Sequence, residues 1–188
     1  MKFGIFGGSF NPVHLGHLLV SEDIREKLKL DKIIFIPSFD PPHKKNLLPF
    51  HQRYKMLKMA IENNRHLAIS DIEKRRCGKS FTVDTLRELK KRYPRVQLHF
   101  VMGIDQYAEL ATWKEPEKLF RYARIVVISR PGFRAQKFKD QRPIFLDVIK
   151  IDIASAQIRK RIRQNLSVRY MLPESVWHYI IKNKLYQP

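Results

Sequence analysis

The sequence predicts an α/β fold, a mostly parallel sheet with helices on both faces, and two patterns predict it. Short apolar runs alternate with stretches of helical periodicity from the second residue onward. The run Lys32–Pro37 (Lys-Ile-Ile-Phe-Ile-Pro) is apolar without alternation, as a parallel strand covered on both sides requires. With 44% hydrophobic residues in a chain of 188, one core is expected. One domain is therefore expected over residues 1–188, its C-terminal part from about 153 to 188 being helical.

The elements follow in order. Lys2–Gly7 reads as a first buried strand. His14–Leu30 reads as a helix, with Leu15, Leu18, Leu19, Ile24 and Leu28 near helical spacing. Lys32–Pro37 is the second strand, Gln52–Glu62 a helix and His66–Ser70 a short strand. Val83–Arg92 is helical, with Thr82 the expected N-cap and Pro94 the stop. Val96–Met102 and Arg124–Ser129 are strands, and Ile144–Ile151 is the expected last one. Ser155–Gln164 and Ser175–Lys184 close the chain as helices. Ligands of such a sheet bind beyond the carboxyl ends of its strands, near a topological switch point.

Bulk properties narrow the function. Lysine and arginine number 37 against 18 aspartate and glutamate, a formal charge of +19. That balance favours anionic partners: nucleic acid, acidic membrane surfaces or phosphorylated metabolites. The single cysteine, Cys77, excludes an internal disulfide framework and a cysteine-built zinc site. No apolar run approaches the roughly 18 residues of a membrane-spanning helix. The opening Met1–Gly8 is too short and glycine-rich for a secretory signal, so the cytoplasm is the expected address.

Four segments carry chemistry. Gly7-Gly8-Ser9-Phe10-Asn11-Pro12-Val13-His14-Leu15-Gly16-His17 joins the first strand to the first helix. Its glycines permit a tight turn and close approach of a ligand, and helix-start amides favour an anion. His14 and His17 lie three apart and share one helix face, with Gly16 keeping that face shallow. The pair suits phosphates; it equally suits capping and packing, and two histidines on one face can bind zinc, although no third ligand is evident. Pro37-Ser38-Phe39-Asp40-Pro41-Pro42-His43-Lys44 is a proline-stiffened loop whose Lys44 suits phosphate, or is simply solvated. In Ile153-Ala154-Ser155-Ala156-Gln157-Ile158-Arg159, Ser155 can offer a hydroxyl and helix-start amides, and Arg159 a fork, to phosphate. Alternatively Ser155 caps the helix and Arg159 faces solvent. Met102-Gly103-Ile104-Asp105 places a glycine and a carboxylate where a ribose can approach, with Trp113 and Thr85 as further candidates.

Other nucleotide modes fail on spacing. The Gly-x-Gly-x-x-Gly fingerprint is absent. Gly78-Lys79-Ser80 lacks the earlier glycine of a phosphate loop, Glu73 standing in its place. No Gly-x-Ser-x-Gly elbow exists, and Cys77 has no base partner in the sequence pattern.

Taken together and in this order, these segments resemble the nucleotidyltransferase superfamily with the His-x-Gly-His signature, and within it the bacterial nicotinate-nucleotide adenylyltransferases. Ser80-Phe81-Thr82-Val83-Asp84-Thr85-Leu86, Ile128-Ser129-Arg130-Pro131-Gly132 and Leu172-Pro173 through Ile180 extend the resemblance from Phe3 to Tyr186. The resemblance implies a Rossmann-like fold and transfer of AMP from ATP to nicotinate mononucleotide, giving deamido-NAD and pyrophosphate in NAD biosynthesis. It implies that Gly7, Gly8, Ser9 and Phe10 contact ATP or substrate, and that His14 and His17 hold the ATP phosphates. Lys44, Ser155 and Arg159 are implied for the phosphate tail, with Gly103, Asp105, Ile128 and Arg130 around the adenosine. Ser38, Thr85 and Trp113 are implied for the acceptor. Catalysis is assigned to His14, His17, Lys44 and Arg159, with Mg²⁺ held mainly by ATP phosphates and water and no protein-built metal site. The chain departs from the superfamily's Ile-Ser-Ser-Thr-x-Ile-Arg, since Ala154 and Ala156 replace a serine and the threonine.

Transfer to nicotinamide mononucleotide or phosphopantetheine is the nearest rival. Thr85 and Trp113 in their motifs favour the nicotinate reaction. A nucleic-acid-binding module, suggested by the charge, would need aromatic residues interleaved with basic ones on one face, and the basic residues are scattered instead. The expected partners are ATP and nicotinate mononucleotide, with no specific nucleic acid and no membrane; a homo-oligomer is compatible with the sequence.

Overall fold

The computed structural model describes residues 1–42, 46–129 and 141–187. A six-stranded sheet organises them: β1 (Lys2–Gly8), β2 (Lys32–Pro37), β3 (Leu67–Ile69), β4 (Gln97–Gly103), β5 (Arg124–Ser129) and β6 (Ile144–Asp147). Its order is β3-β2-β1-β4-β5-β6, and every neighbouring pair is parallel. The chain runs outward from β1 to β3, then returns to the other side of β1 with β4. The switch point therefore lies between β1 and β4, whose carboxyl ends carry Gly8 and Gly103.

Strand alternation splits the core into two layers. On one face, Phe3, Ile5, Ile34, Ile36, Leu98, Phe100 and Ile125 meet three helices, α4 (Thr82–Arg92), α5 (Ile104–Ala108) and α6 (Pro116–Tyr122), together with the short α3 (Ile72–Arg76). On the other, Ile33, Phe35, Val101 and Val126 meet α1 (Leu15–Lys27), α2 (Phe50–Ile61), α7 (Ser155–Arg163) and α8 (Glu174–Lys182). Gly4 belongs to this second face. A Cβ there would lie 2.3 Å from Ile33 Cδ1 and 3.0 Å from Leu30 Cδ1, so a larger residue would have to displace the tips of both side chains. Among the described residues, no helix is long and apolar enough to cross a membrane.

β2 and β5 occupy the expected residues; other boundaries move for identifiable reasons. The first helix ends at Lys27 rather than Leu30. Lys29 adopts φ +50°, Leu30 N–H bonds Arg25 O at 2.8 Å, and Lys29 N–H bonds Glu26 O at 3.1 Å, a left-handed terminator formed without glycine. Thr82 is the first helical residue of α4 and not its N-cap; extended Phe81 holds that position, with no side-chain cap. The last strand stops at Asp147 because side chains of α1 take the main-chain groups that follow. Lys27 Nζ donates to Asp147 O at 2.7 Å, and Ile149 N–H donates to Asp23 Oδ2 at 2.8 Å.

Candidate active site

The turn after β1 is held from behind. Ser38 N–H donates to Gly8 O at 2.8 Å. Arg53 Nη1 donates to Ser9 O, Arg159 Nη1 to Asn11 O and Ser155 Oγ to Pro12 O, each at 2.8 Å. Tyr186 Oη donates to Asn11 Oδ1 at 2.8 Å. Carbonyl oxygens that would repel a phosphate thus have donors within the protein. Phe10 takes φ +45°, costly for a bulky residue. Its buried ring packs edge-on to Phe6, Phe35 and His17, contacts that offset the cost. A Cβ on Gly8 would lie 3.0 Å from the Phe10 ring, so glycine lets that ring sit close against the turn.

His14, at the N-cap of α1, is extended, and His17 follows in the first turn. Their rings stack with centroids 3.7 Å apart at 28°. His14 N–H donates to His17 Nδ1 at 3.3 Å. A neutral His17 therefore carries its proton on Nε2. His14 is 6% exposed, and burial lowers its pKa to about 4, so its imidazole is neutral at pH 7. Its Nδ1 is buried with no protein partner. A Cβ on Gly16 would stand 3.1 Å from that atom, so the glycine makes room for the stacked ring.

α7 meets this turn from the second face. Ser155 is the first helical residue, and Ala154 is the N-cap. The Ser155 hydroxyl proton is committed to Pro12; its amide belongs to the helix-start donors that have no intrahelical acceptor. Burial pushes the Tyr186 phenol up, against the opposing pull of Arg159 and Arg53.

Across the switch point, Gly103 and Ile128 are paired in register at the ends of β4 and β5, and Asp105 is exposed just beyond. Trp113 is half-buried against Phe100, with centroids 6.4 Å apart, on the first face. A Cβ on Gly7 would lie 3.7 Å from the same Phe100 ring. Thr85 is 4% exposed; its hydroxyl donates to Glu73 Oε1 at 2.9 Å and accepts from Arg76 Nη2 at 3.0 Å. The histidine pair, Ser9, Phe10, Ser155 and Arg159 thus gather at one side of the β1–β4 edge, and Thr85 and Trp113 at the other. Ser38 sits between them. Lys44 and Arg130 lie outside the described residues.

Three residues the sequence reading passed over complete the site. Arg53 is 1% exposed and donates to Ser9 O, Ser38 O and Leu48 O, each at 2.8 Å. The signal was available: Arg53 shares the buried stripe of α2 with Met56 and Leu57, where a solvated cation has no place. Glu73, within the short α3, and Asn11, inside the recognised turn, gave no such signal.

The cytidylyltransferase-like family profile matches residues 5–162. The chain belongs to that family. A Thermus thermophilus protein named "Probable nicotinate-nucleotide adenylyltransferase" is 41% identical over 188 residues, all of both chains. One of the same name from Syntrophotalea carbinolica is 38% identical over 213 residues, covering 100% of this chain and 98% of its own. The Plasmodium falciparum nicotinic acid mononucleotide adenylyltransferase complexed with NaAD superposes with TM-score 0.82 over 98% of this chain and 97% of that one. At 24% identity that likeness is one of fold.

Proposed function

We propose that the chain transfers the adenylyl group of ATP to nicotinate mononucleotide, releasing pyrophosphate and forming deamido-NAD. The observation that carries this reading is the stacked, partly desolvated imidazole pair at the start of α1, beside the switch point of the sheet. Full-length relatives named for that reaction support the choice of substrates.

The acceptor's 5′-phosphate is already an ionised nucleophile, so no general base is needed. It attacks the α-phosphorus in line, without a covalent enzyme intermediate, and the bond to the bridging oxygen breaks as pyrophosphate leaves. Catalysis is then positioning and charge stabilisation. His17 donates its Nε2 proton toward the α-phosphate oxygens, and neutral His14 adds a second donor. Arg159, its plane fixed by Asn11, and Lys44 take the departing phosphates. The helix-start amides of α7 serve the tail where the Ser155 hydroxyl does not. Gly103, Asp105, Ile128 and Arg130 surround the adenosine, and Ser9 and Phe10 face the nucleotide through their backbone. Trp113 stacks on the pyridine ring, and the backbone at the start of α4, near Thr85, receives its carboxylate. Mg²⁺, held mainly by the nucleotide phosphates and water, would supply further neutralisation of the phosphate charge.

The test is incubation with ATP, Mg²⁺ and nicotinate mononucleotide, followed by chromatography. Deamido-NAD and equimolar pyrophosphate are expected. Product only when nicotinamide mononucleotide or phosphopantetheine replaces the acceptor would overturn the assignment.

A further inference from the structure

The peptide between Ser38 and Phe39 is gripped on both sides by buried charges. Its carbonyl accepts from Arg53 Nη2 at 2.8 Å, and its N–H donates to Glu73 Oε2 at 3.2 Å. Arg53 and Glu73 are 1% and 8% exposed and come from different helices, α2 and α3, on opposite faces of the sheet. Burial disfavours the charged form of Arg53, and Tyr186 and Glu73 act electrostatically against that. A buried guanidinium without such a partner is costly, and an apolar pair of the same volume would stabilise the fold at least as well. What the charged pair adds is direction.

Their remaining hydrogen bonds show where that direction leads. Arg53 reaches back to Ser9 O in the turn beside the histidine pair. Glu73 Oε1 accepts the hydroxyl of Thr85, near the start of α4. A continuous path, Ser9–Arg53–(Ser38–Phe39 peptide)–Glu73–Thr85, thus crosses the end of β2 from one side of the reaction edge to the other. Arg76 completes the far end by donating to the same Thr85 hydroxyl at 3.0 Å.

We infer that Arg53 and Glu73 are positioning residues, which set the distance and angle between the turn that receives ATP and the helix start that receives the acceptor. The inference deepens the proposed function and rests on it. In-line attack tolerates little misplacement, so an anchor shared by both halves of the site has a kinetic consequence that ordinary core packing lacks. Each end has its own signature. Glu73 holds the acceptor side, and Arg53 holds both.

Glu73→Gln keeps the shape but offers one acceptor oxygen to two donors. It is expected to raise KM for nicotinate mononucleotide about tenfold while KM for ATP stays within about twofold. Arg53→Lys cannot reach three carbonyls with one ammonium group, and it should raise both KM values and weaken binary ATP binding measured by calorimetry. Thr85→Val, which cuts only the last link, should raise the acceptor KM about threefold and serves if Glu73→Gln folds poorly. Kinetics are normalised to folded enzyme by circular dichroism. If Glu73→Gln and Thr85→Val lower Tm but leave both KM values unchanged, or change both equally, the pair is structural and the inference fails. If the wild-type enzyme itself yields no deamido-NAD, the functional reading fails instead.

Discussion

The two sides of the reaction edge are built differently. On the side proposed for the nucleotide, the turn from Gly8 to His17 is fixed by side chains reaching main-chain carbonyls, buried Arg53 and half-buried Ser155 and Arg159, each at 2.8 Å from its acceptor. On the side proposed for the acceptor, the rim around α4 and Trp113 is laced by partly exposed ion pairs: Arg87 with Asp84 at 3.1 Å and Glu115 at 3.2 Å, Lys114 with Asp84 at 2.9 Å, and Lys118 with Glu115. Lys114 also lies 4.7 Å from the centre of the Phe81 ring. Buried bonds to carbonyls hold a single geometry, because losing one leaves an unsatisfied group without water. Surface pairs exchange with water and salt at little cost. The difference fits a division of labour. In the proposed reaction the triphosphate has to be held rigidly for displacement, whereas the acceptor's ring has to enter and leave.

The contrast predicts unequal responses to damage. The largest belongs to the nucleotide side: His17→Ala should lower kcat about 100-fold or more, as deleting one transition-state donor does, with near-native circular dichroism. Near-wild-type turnover would remove His17 from the chemistry. On the acceptor side, Trp113→Ala should raise KM for nicotinate mononucleotide about tenfold and KM for ATP much less, because a stacking surface is lost; unchanged constants would make Trp113 structural.

Acid should strain the nucleotide side next. The unfolded chain binds a proton on His14 near pH 6.5, whereas native His14 refuses it until about pH 4. That contribution to stability is complete above pH 6.5 and falls away as pH drops toward 4, by about 3 kcal/mol in all. Burial lowers the His99 pKa in the same direction. Urea unfolding at pH 7.5 and 5.0 measures the loss, and His14→Gln should reduce it; identical pH profiles for wild type and variant would contradict the burial of that imidazole. The smallest effect belongs to the acceptor rim: Lys114→Ala should move Tm by no more than about 3 °C, and 1 M salt should erase the difference.

Much of this layout was legible in the sequence. Lys32–Pro37 announced a parallel strand by its unbroken apolar run, and the glycines and histidines between Gly7 and His17 marked the strand-to-helix turn. What escaped was long-range. The end of α1 at Lys27 depends on a left-handed lysine, and nothing local marks Lys29 for that role. The short helices Ile72–Arg76 and Ile104–Ala108 are too brief to show a period. The partners of Ser155 and Thr85 were equally hidden. The Ser155 hydroxyl reads as a phosphate ligand and Thr85 as an acceptor-site residue in sequence, yet their hydroxyl protons go to Pro12 and Glu73, which pattern alone cannot bring near.

The central claim is that the stacked imidazoles face the nucleotide phosphates. Nitrogen-15 spectra of the histidine side chains, recorded during titration with magnesium ATP, test it most directly. Binding should protect the His17 Nε2–H from exchange and shift the signals of His14 and His17, leaving those of His51, His66 and His178 in place. Saturation with nucleotide while both imidazole signals stay unmoved would contradict the account.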